Sequence, residues 1–398
     1  MSALADLSTS FVGRRGRLFW LALKTSVLTV LTLGFYRFWM KTRLRRFYWS
    51  SIRPGGQPLE YLGEPLEKLL GFLIAVVFLA FYIGVVNLIL MFLSFALLQG
   101  NVAAYVLSFV GVIPILFYAQ YRARRYILAR TRWRGIRFGL EPGAWGYAGR
   151  ALWHWIITLA SLGVFWPRMT YRLEKFRTDR TTYGTVTLTQ GGGWGMLYPA
   201  YLLFYIPALV TAGSVAFVIW FDDEIALIAM MISVPVALFG WVFYQVAAFR
   251  LMAATKSAGG VGFIAAPRSW RVFWIYGFGY FLAGLVMFSV LIAALILLGA
   301  VLGVSGSFSI DLDNIDSLMN AGLPFWAATA IGVAFYFSFF IGWGVLRQVF
   351  VTLPLMKHYA ETLSITGVSG LLAVRQTERD RFAEAEGFAE ALDIGAAI

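Results

Sequence analysis

Residues 196–249 read MLYPAYLLFYIPALVTAGSVAFVIWF, then DDE, then IALIAMMISVPVALFGWVFYQVAAF. The two apolar runs, Met196–Phe221 and Ile225–Phe249, carry no charge, and each exceeds the ~20 residues of helix that cross a bilayer's hydrocarbon core. Their charges are confined to the turn, Asp222-Asp223-Glu224, while Arg180 and Arg250 flank the pair. The stretch therefore reads as a transmembrane helical hairpin with an acidic tip and basic ends.

The whole chain repeats this logic. It has 398 residues, 60% of them hydrophobic and 17% aromatic, only 13% charged, with a mean hydropathy of +0.74. A soluble chain is nearer half apolar and a quarter charged, and would not tolerate so much exposed apolar surface. The apolar segments are Leu18–Trp39, Leu69–Leu98, Val102–Tyr118, Ala151–Trp166, the two runs above, Val272–Val304 and Pro324–Met356. Arg14, Arg15 and Arg17 precede the first in the manner of a signal peptide, but no small-residue cleavage site follows, so it reads as mature protein.

The connections are of two kinds. Lys41 to Lys68, Arg122 to Arg150, Arg168 to Arg180, Arg250 to Arg271 and the stretch after Lys357 are basic. Gln99-Gly100-Asn101, Asp222-Asp223-Glu224 and the loop holding Asp311, Asp313 and Asp316 are neutral or acidic. The positive-inside rule places the first kind in the cytoplasm and the second outside, giving three spanning hairpins. Segments one and four have basic residues at both ends, so they are expected to be re-entrant or interfacial, each broken at a Leu-Gly pair containing Gly34 or Gly163. Eight spanning helices with a breached charge rule is the competing topology.

An internal repeat is also expected. Leu33-Gly34-Phe35-Tyr36 and Leu162-Gly163-Val164-Phe165 are each followed, at matching intervals, by basic residues, a Phe (Phe47, Phe176) and a glycine (Gly55, Gly184). Five basic segment ends run into a glycine between short extended stretches, around Gly55, Gly135, Gly184, Gly260 and Gly367, which predicts small cytoplasmic β-hairpins. The fold expected is an all-α integral membrane protein with about six spanning helices, two re-entrant segments and these hairpins. Its repeat units cover residues 1–148, 149–270 and 271–374 (the last degenerate), followed by a charged tail, 375–398.

Phe11-x-Gly13, Leu31-Thr32-Leu33-Gly34-Phe35-Tyr36, Trp39-x-Lys41, Arg45-Arg46-Phe47-Tyr48, Glu60-Tyr61, Leu69-x-Gly71-Phe72, Arg124-Arg125-Tyr126 and Arg134-Gly135-x-x-Phe138 carry a resemblance. The pattern resembles the YjgN-like family of bacterial inner-membrane proteins, most closely before residue 190; the tail Ala391-Leu392-Asp393-Ile394-Gly395 is similar too. Thr352-Leu353-Pro354 departs from it where Thr-Leu-Gly would stand. The resemblance implies location and architecture, not an activity.

Chemistry is sparse. Cysteine is absent, and the two histidines, His154 and His358, lack neighbouring ligands in sequence, so neither metal nor cofactor is expected and the protein reads as a non-enzyme. Gly191-Gly192-Gly193 lacks the Lys-Ser/Thr of a phosphate loop. The net charge of +13 sits in clusters beside apolar runs, which favours anionic lipid headgroups at the cytoplasmic face as partners over nucleic acid. Candidate headgroup contacts are Arg43, Arg46, Arg122, Arg124, Arg125, Arg172 and Lys175; candidate intramembrane polar residues are Asn87, Gln120 and Gln245. No Asp or Glu lies inside a spanning segment, which argues against a carboxylate proton relay. The function expected is binding or transport of a small amphiphile or lipid in the bacterial inner membrane; the alternative is an interaction or envelope-organising protein without a transport path.

Overall fold

The computed structural model describes residues 6–97, 103–221, 224–301 and 325–377. The Gln99-Gly100-Asn101 turn, Asp222-Asp223, the loop with Asp311, Asp313 and Asp316, and the tail from residue 378 lie outside the described residues.

Each helical excursion begins and ends at one antiparallel strand pair. Strand β1 (Leu7–Phe11) leads into helices α1 (Arg15–Leu31) and α2 (Arg37–Ser51), and β2 (Ile52–Pro54) returns beside it, Phe11 facing Ile52. The pattern recurs with β3 (Leu59–Tyr61), α3 (Pro65–Leu97), α4 (Ala103–Ala129) and β4 (Thr131–Trp133), where Tyr61 faces Thr131. Next come β5 (Ile136–Leu140), α5 (Ala144–Ala160), α6 (Trp166–Thr178) and β6 (Thr181–Tyr183), with Leu140 opposite Thr181. After β7 (Val186–Thr187), β8 (Thr189–Gln190) opens onto α7 (Tyr198–Phe221) and α8 (Glu224–Ala254), and β9 (Lys256–Ala258) closes with Lys256 opposite Gln190. Finally β10 (Val261–Ala265) precedes α9 (Ser269–Val301), α10 (Phe325–Arg347), one π-helical turn (Gln348–Thr352) and α11 (Leu353–Glu361), and β11 (Leu363–Thr366) pairs Leu363 with Ala265. Since the residues before and after each excursion are hydrogen-bonded neighbours, every excursion leaves and rejoins the strands at one level.

The strands assemble into two sheets, β2-β1-β11-β10-β9-β8 and β3-β4-β5-β6-β7. Trp133 and Tyr183 from one and Val261 and Ile365 from the other share one apolar core, to which Val374 adds. This corrects the expectation of separate small hairpins in an otherwise all-helical protein. Three motifs do form hairpins, β4/β5, β6/β7 and β9/β10. The motif at Gly55 does not close on itself: β2 ends at Pro54, which has no N–H to extend a ladder, and left-handed Gly55 and Gly56 carry the chain into the other sheet. The motif at Gly367 supplies a single strand, β11, paired with β1 and β10.

Among the described residues, four helices are long and apolar enough to cross a membrane: Trp194–Trp220, Glu224–Ala254, Ser269–Ala294 and Thr329–Glu361. Helix α3 contributes a shorter apolar stretch, Ile83–Leu93. The chain divides into two compact units, each discontinuous in sequence. Unit 1 comprises residues 1–12, 41–273 and 357–398; unit 2 comprises 13–40 and 274–356.

Within unit 1, α7 and α8 pack closely enough that a Cβ at Gly240 would strike the Leu203 carbonyl, and the Thr211 and Ser233 hydroxyls meet at 2.8 Å. Small residues and hydroxyl pairs are how helices associate where lipid removes the hydrophobic drive between them. Within unit 2, α1, α9 and α10 pack together, and Gly279 lets the π-helical turn approach α9 at the Phe350 carbonyl.

Candidate functional site

The two Leu-Gly pairs form the same backbone turn. Helix α1 ends with the Gly34 N–H donating to the Thr29 carbonyl (2.7 Å) and the Leu33 N–H to that of Val30 (3.0 Å). Helix α5 ends with Gly163 donating to Thr158 (2.7 Å) and Leu162 to Leu159 (3.0 Å). This is the Schellman closure, whose left-handed position normally holds glycine. Here it holds leucine, at φ +51° in Leu33 and +52° in Leu162, with the glycine one place later at +94° and +93°. A non-glycine residue there is strained by roughly 1–2 kcal/mol. Both leucine side chains point outward, 91% and 81% exposed. Local strain combined with maximal exposure of an apolar group has no stabilising return in water.

The second turn is bolted to α7. The hydroxyls of Tyr205, Tyr201 and Tyr198 donate to the carbonyls of Leu162 (3.2 Å), Gly163 (2.8 Å) and Val164 (3.0 Å). Spacings of three and four residues put the three tyrosines on one face of α7. They add donors to the carbonyls of the turn itself, where the Gly163 carbonyl also accepts the Trp166 N–H (3.0 Å). Sequence reasoning missed this latch, although a Tyr198/Tyr201/Tyr205 stripe in an apolar run was a visible signal.

Most of the candidate headgroup contacts serve the fold. Arg125 is buried and donates Nε to the Leu140 carbonyl (2.9 Å). Arg124 lies 3.6 Å from Glu174, which also holds Arg177 (2.8 Å) and Lys256 (2.7 Å). Burial pushes the Glu174 carboxyl up, but Arg177, Arg124 and Lys256 outweigh it and hold the group well below the usual carboxylate range. Lys175 donates to the Gln190 carbonyl (2.7 Å) and pairs with Asp179 (2.9 Å). Arg46 donates to the Gly63 carbonyl, and Arg122 bonds the Tyr118 hydroxyl. Arg43 and Arg172 are exposed.

Of the polar residues singled out, Gln120 is half-buried and Gln245 is exposed on α8; the Asn87 side chain lies outside those described, although its backbone belongs to α3. His358 is buried and accepts the Arg268 N–H on Nε2 (3.0 Å). His154 is half-buried on α5; burial lowers its pKa, and Arg168, Arg172 and Arg150 lower it further. Among the described residues no three His, Asp or Glu side chains are grouped to hold a metal ion.

Unit 2 contains a cavity of about 440 Å³ between α1, α9 and α10. Phe19 and Leu23, Val286 and Val290, and Phe335 and Phe339 line it, with Ser338 contributing a hydroxyl to an otherwise apolar wall. A Cβ at Gly342 would collide with Met287 Sδ, so this glycine keeps α10 close to α9 beside the cavity.

The family model for bacterial proteins of unknown function, DUF898, matches residues 6–391. The chain belongs to this family. The DUF898 match takes in all eleven strands, both Leu-Gly turns and the cavity-lining helices. No curated protein and no solved structure matches the chain.

Proposed function

We propose that this DUF898 protein is a multi-pass protein of the bacterial inner membrane that binds a lipid-like amphiphile and moves it, without covalent chemistry of its own. The observation that carries the reading is the cavity in unit 2. Its volume falls in the range of small-molecule sites, and a wall with a single hydroxyl suits a hydrocarbon chain rather than a polar solute. The chain is built from repeated helical hairpins, each rising from one strand pair. In support, the turns at Leu33 and Leu162 share their hydrogen bonds at a constant offset, down to the Thr29–Met40 and Thr158–Met169 contacts, both at 3.9 Å. The α3–α4 pair makes the third spanning hairpin, giving six spans, and α1–α2 and α5–α6 dip into one leaflet. Arg and Lys at the strand ends of the hairpins favour the cytoplasmic side for the sheets.

Two measurements test this. Single cysteines at Gly55, Gly135, Gly184, Gly260 and Gly367 label only from the cytoplasmic side, and those at Gly100, Asp223 and Asp313 only from outside; external labelling of Gly55 or Gly184 overturns the re-entrant topology. Ala334→Trp, on the cavity wall, abolishes co-purification of the amphiphile by native mass spectrometry. Retention of the same amphiphile by a folded Ala334→Trp protein overturns the cavity as its site and leaves the envelope-organising alternative.

A further inference from the structure

The apolar cavity of unit 2 sits in a scaffold that carries positive charge alone. Among the described residues of this unit there is no Asp or Glu, and its charges are Arg14, Arg15, Arg17, Lys24, Arg37 and Arg347. Helical spacing sorts them. Phe19 and Leu23 line the cavity from α1, and Arg15 lies one turn before Phe19, so the three form one stripe at intervals of four. At 3.6 residues per turn, Arg17 and Lys24 lie about 160° and 140° around α1 from Phe19. Arg347 is about 140° around α10 from Gly342, at the middle of that helix's lining face. Arg14 precedes α1 and Arg37 begins α2. Arg15 alone continues the cavity stripe.

Chain direction places Arg15 at one end of the cavity. Helix α1 leaves β1, while α10 runs back through the π-helical turn and α11 to β11, the partner of β1. The two helices are therefore antiparallel, and α1 packs against both α10 and the π-helical turn. Arg15 comes beside the end marked by Val345 and Leu346, and Ala334 marks the other, roughly 18 Å away along α10. A Cβ on Gly16, next to Arg15, would meet nothing within 4 Å, so space is open there for a headgroup. Arg15 is exposed, and among the described residues its side chain makes no hydrogen bond or ion pair.

Shape and charge select the ligand. Close-packed as in a protein interior, a methylene takes about 27 Å³, so the 440 Å³ cavity holds roughly sixteen, one acyl chain and not two. A guanidinium offers paired N–H donors that match an oxyanion. A zwitterionic head would also bring an ammonium, for which the described residues of unit 2 supply no carboxylate.

We propose that the cavity takes a single-chain amphiphile with an oxyanion head, of the class of a long-chain carboxylate. Its chain lies between α1, α9 and α10, and its head pairs with Arg15. This rests on the cavity reading above and adds chain number, headgroup charge and the residue that selects it.

The test titrates the full chain in non-ionic detergent with hexadecanoate and with hexadecanol, at alkaline pH where the carboxylate is ionised, and counts bound ligand by native mass spectrometry. Hexadecanoate binds at one site and more tightly than hexadecanol. Arg15→Gln weakens hexadecanoate about ten- to a hundredfold, as expected for one charge-assisted contact. It leaves hexadecanol unchanged, which also shows that the variant folds. Arg15→Lys restores part of the loss, and Arg17→Gln, the same charge change on the opposite face of α1, affects neither ligand. Equal losses from Arg15→Gln and Arg17→Gln, or a wild type that binds acid no better than alcohol, overturn the headgroup assignment. Displacement of hexadecanoate by dioleoylphosphatidylglycerol but not by dioleoylphosphatidylcholine overturns the single chain. The cavity is tested apart: folded Ala334→Trp loses both ligands, and a variant that keeps both removes the cavity reading itself.

Discussion

Replacing Leu162 by Asn discriminates between a hairpin tip in lipid and one in water by the sign of its effect. Leu162 sits at φ +52°, where asparagine is tolerated and leucine is strained by roughly 1–2 kcal/mol. In water the side chain, 81% exposed in the folded protein, loses little on removal. Relief of strain would then dominate, and the variant would be more stable by up to about 1 kcal/mol. In hydrocarbon the leucine returns roughly 1.5–3 kcal/mol of transfer free energy. An amide in its place adds a desolvation cost of about 1–3 kcal/mol on mutational scales. Those two terms exceed the strain, so Leu162→Asn is destabilised by about 2 kcal/mol or more. The assay is equilibrium unfolding in lipid bicelles, compared with the same pair in a short-chain detergent where the tip is hydrated. Destabilisation in bicelles that shrinks or reverses in the hydrated state is the expected result. A variant equally stable or more stable in bicelles refutes the inserted tip.

Removing the tyrosine latch should be graded. Tyr201→Phe removes the shortest of the three bonds, at 2.8 Å, while the Gly163 carbonyl keeps the Trp166 N–H, and costs about 0.5–1.5 kcal/mol, more than Tyr205→Phe at 3.2 Å, measured by the same unfolding transition. Glu174→Gln strands three cations and lowers stability by about 3–5 kcal/mol near neutral pH. The Glu174 carboxyl is held low, so its stabilisation is present above the ordinary carboxylate pKa and fades as pH falls towards the depressed value; the gap between wild type and variant should narrow on acidification and not on raising the pH. Gly163→Ala and Gly34→Ala, both at a φ near +93°, should each lower the unfolding free energy by the roughly 1–2 kcal/mol of left-handed strain.

Sequence revealed the apolar hairpin of residues 196–249 and the two Leu-Gly breaks because both are local patterns. An uncharged run longer than the bilayer is thick can hardly be buried except as a spanning helix, and glycine after a Thr-Leu or Ser-Leu pair is a turn signal at short range. The sheets were only half legible. Val261–Ala265 reads as a strand beside its Gly-Gly turn, but its pairing with Leu363–Thr366 spans the whole of α9 and α10, and register over such a distance leaves no local mark. The partners of the basic residues were hidden for a related reason. Arg124, Arg125 and Lys175 look alike in sequence to Arg172, yet their helix faces point at Glu174, the Leu140 carbonyl and Gln190, respectively. Which arginine is free depends on where acids and carbonyls from distant elements arrive.

The two Leu-Gly turns also show how one backbone solution can serve different ends. Their hydrogen bonds coincide, but the surroundings diverge in a single chemical respect. Counting back from Tyr198, Tyr201 and Tyr205 by the offset that relates Leu162 to Leu33 gives Leu69, Phe72 and Val76, none of which has a hydroxyl to donate. The second hairpin is therefore fixed to α7 through its tip. The first has no tyrosine equivalent on α3, and its helix α1 instead packs in unit 2, where Phe19 and Leu23 form part of the cavity wall. Of the two hairpins, the one without the latch is the one whose first helix lines the apolar cavity of unit 2.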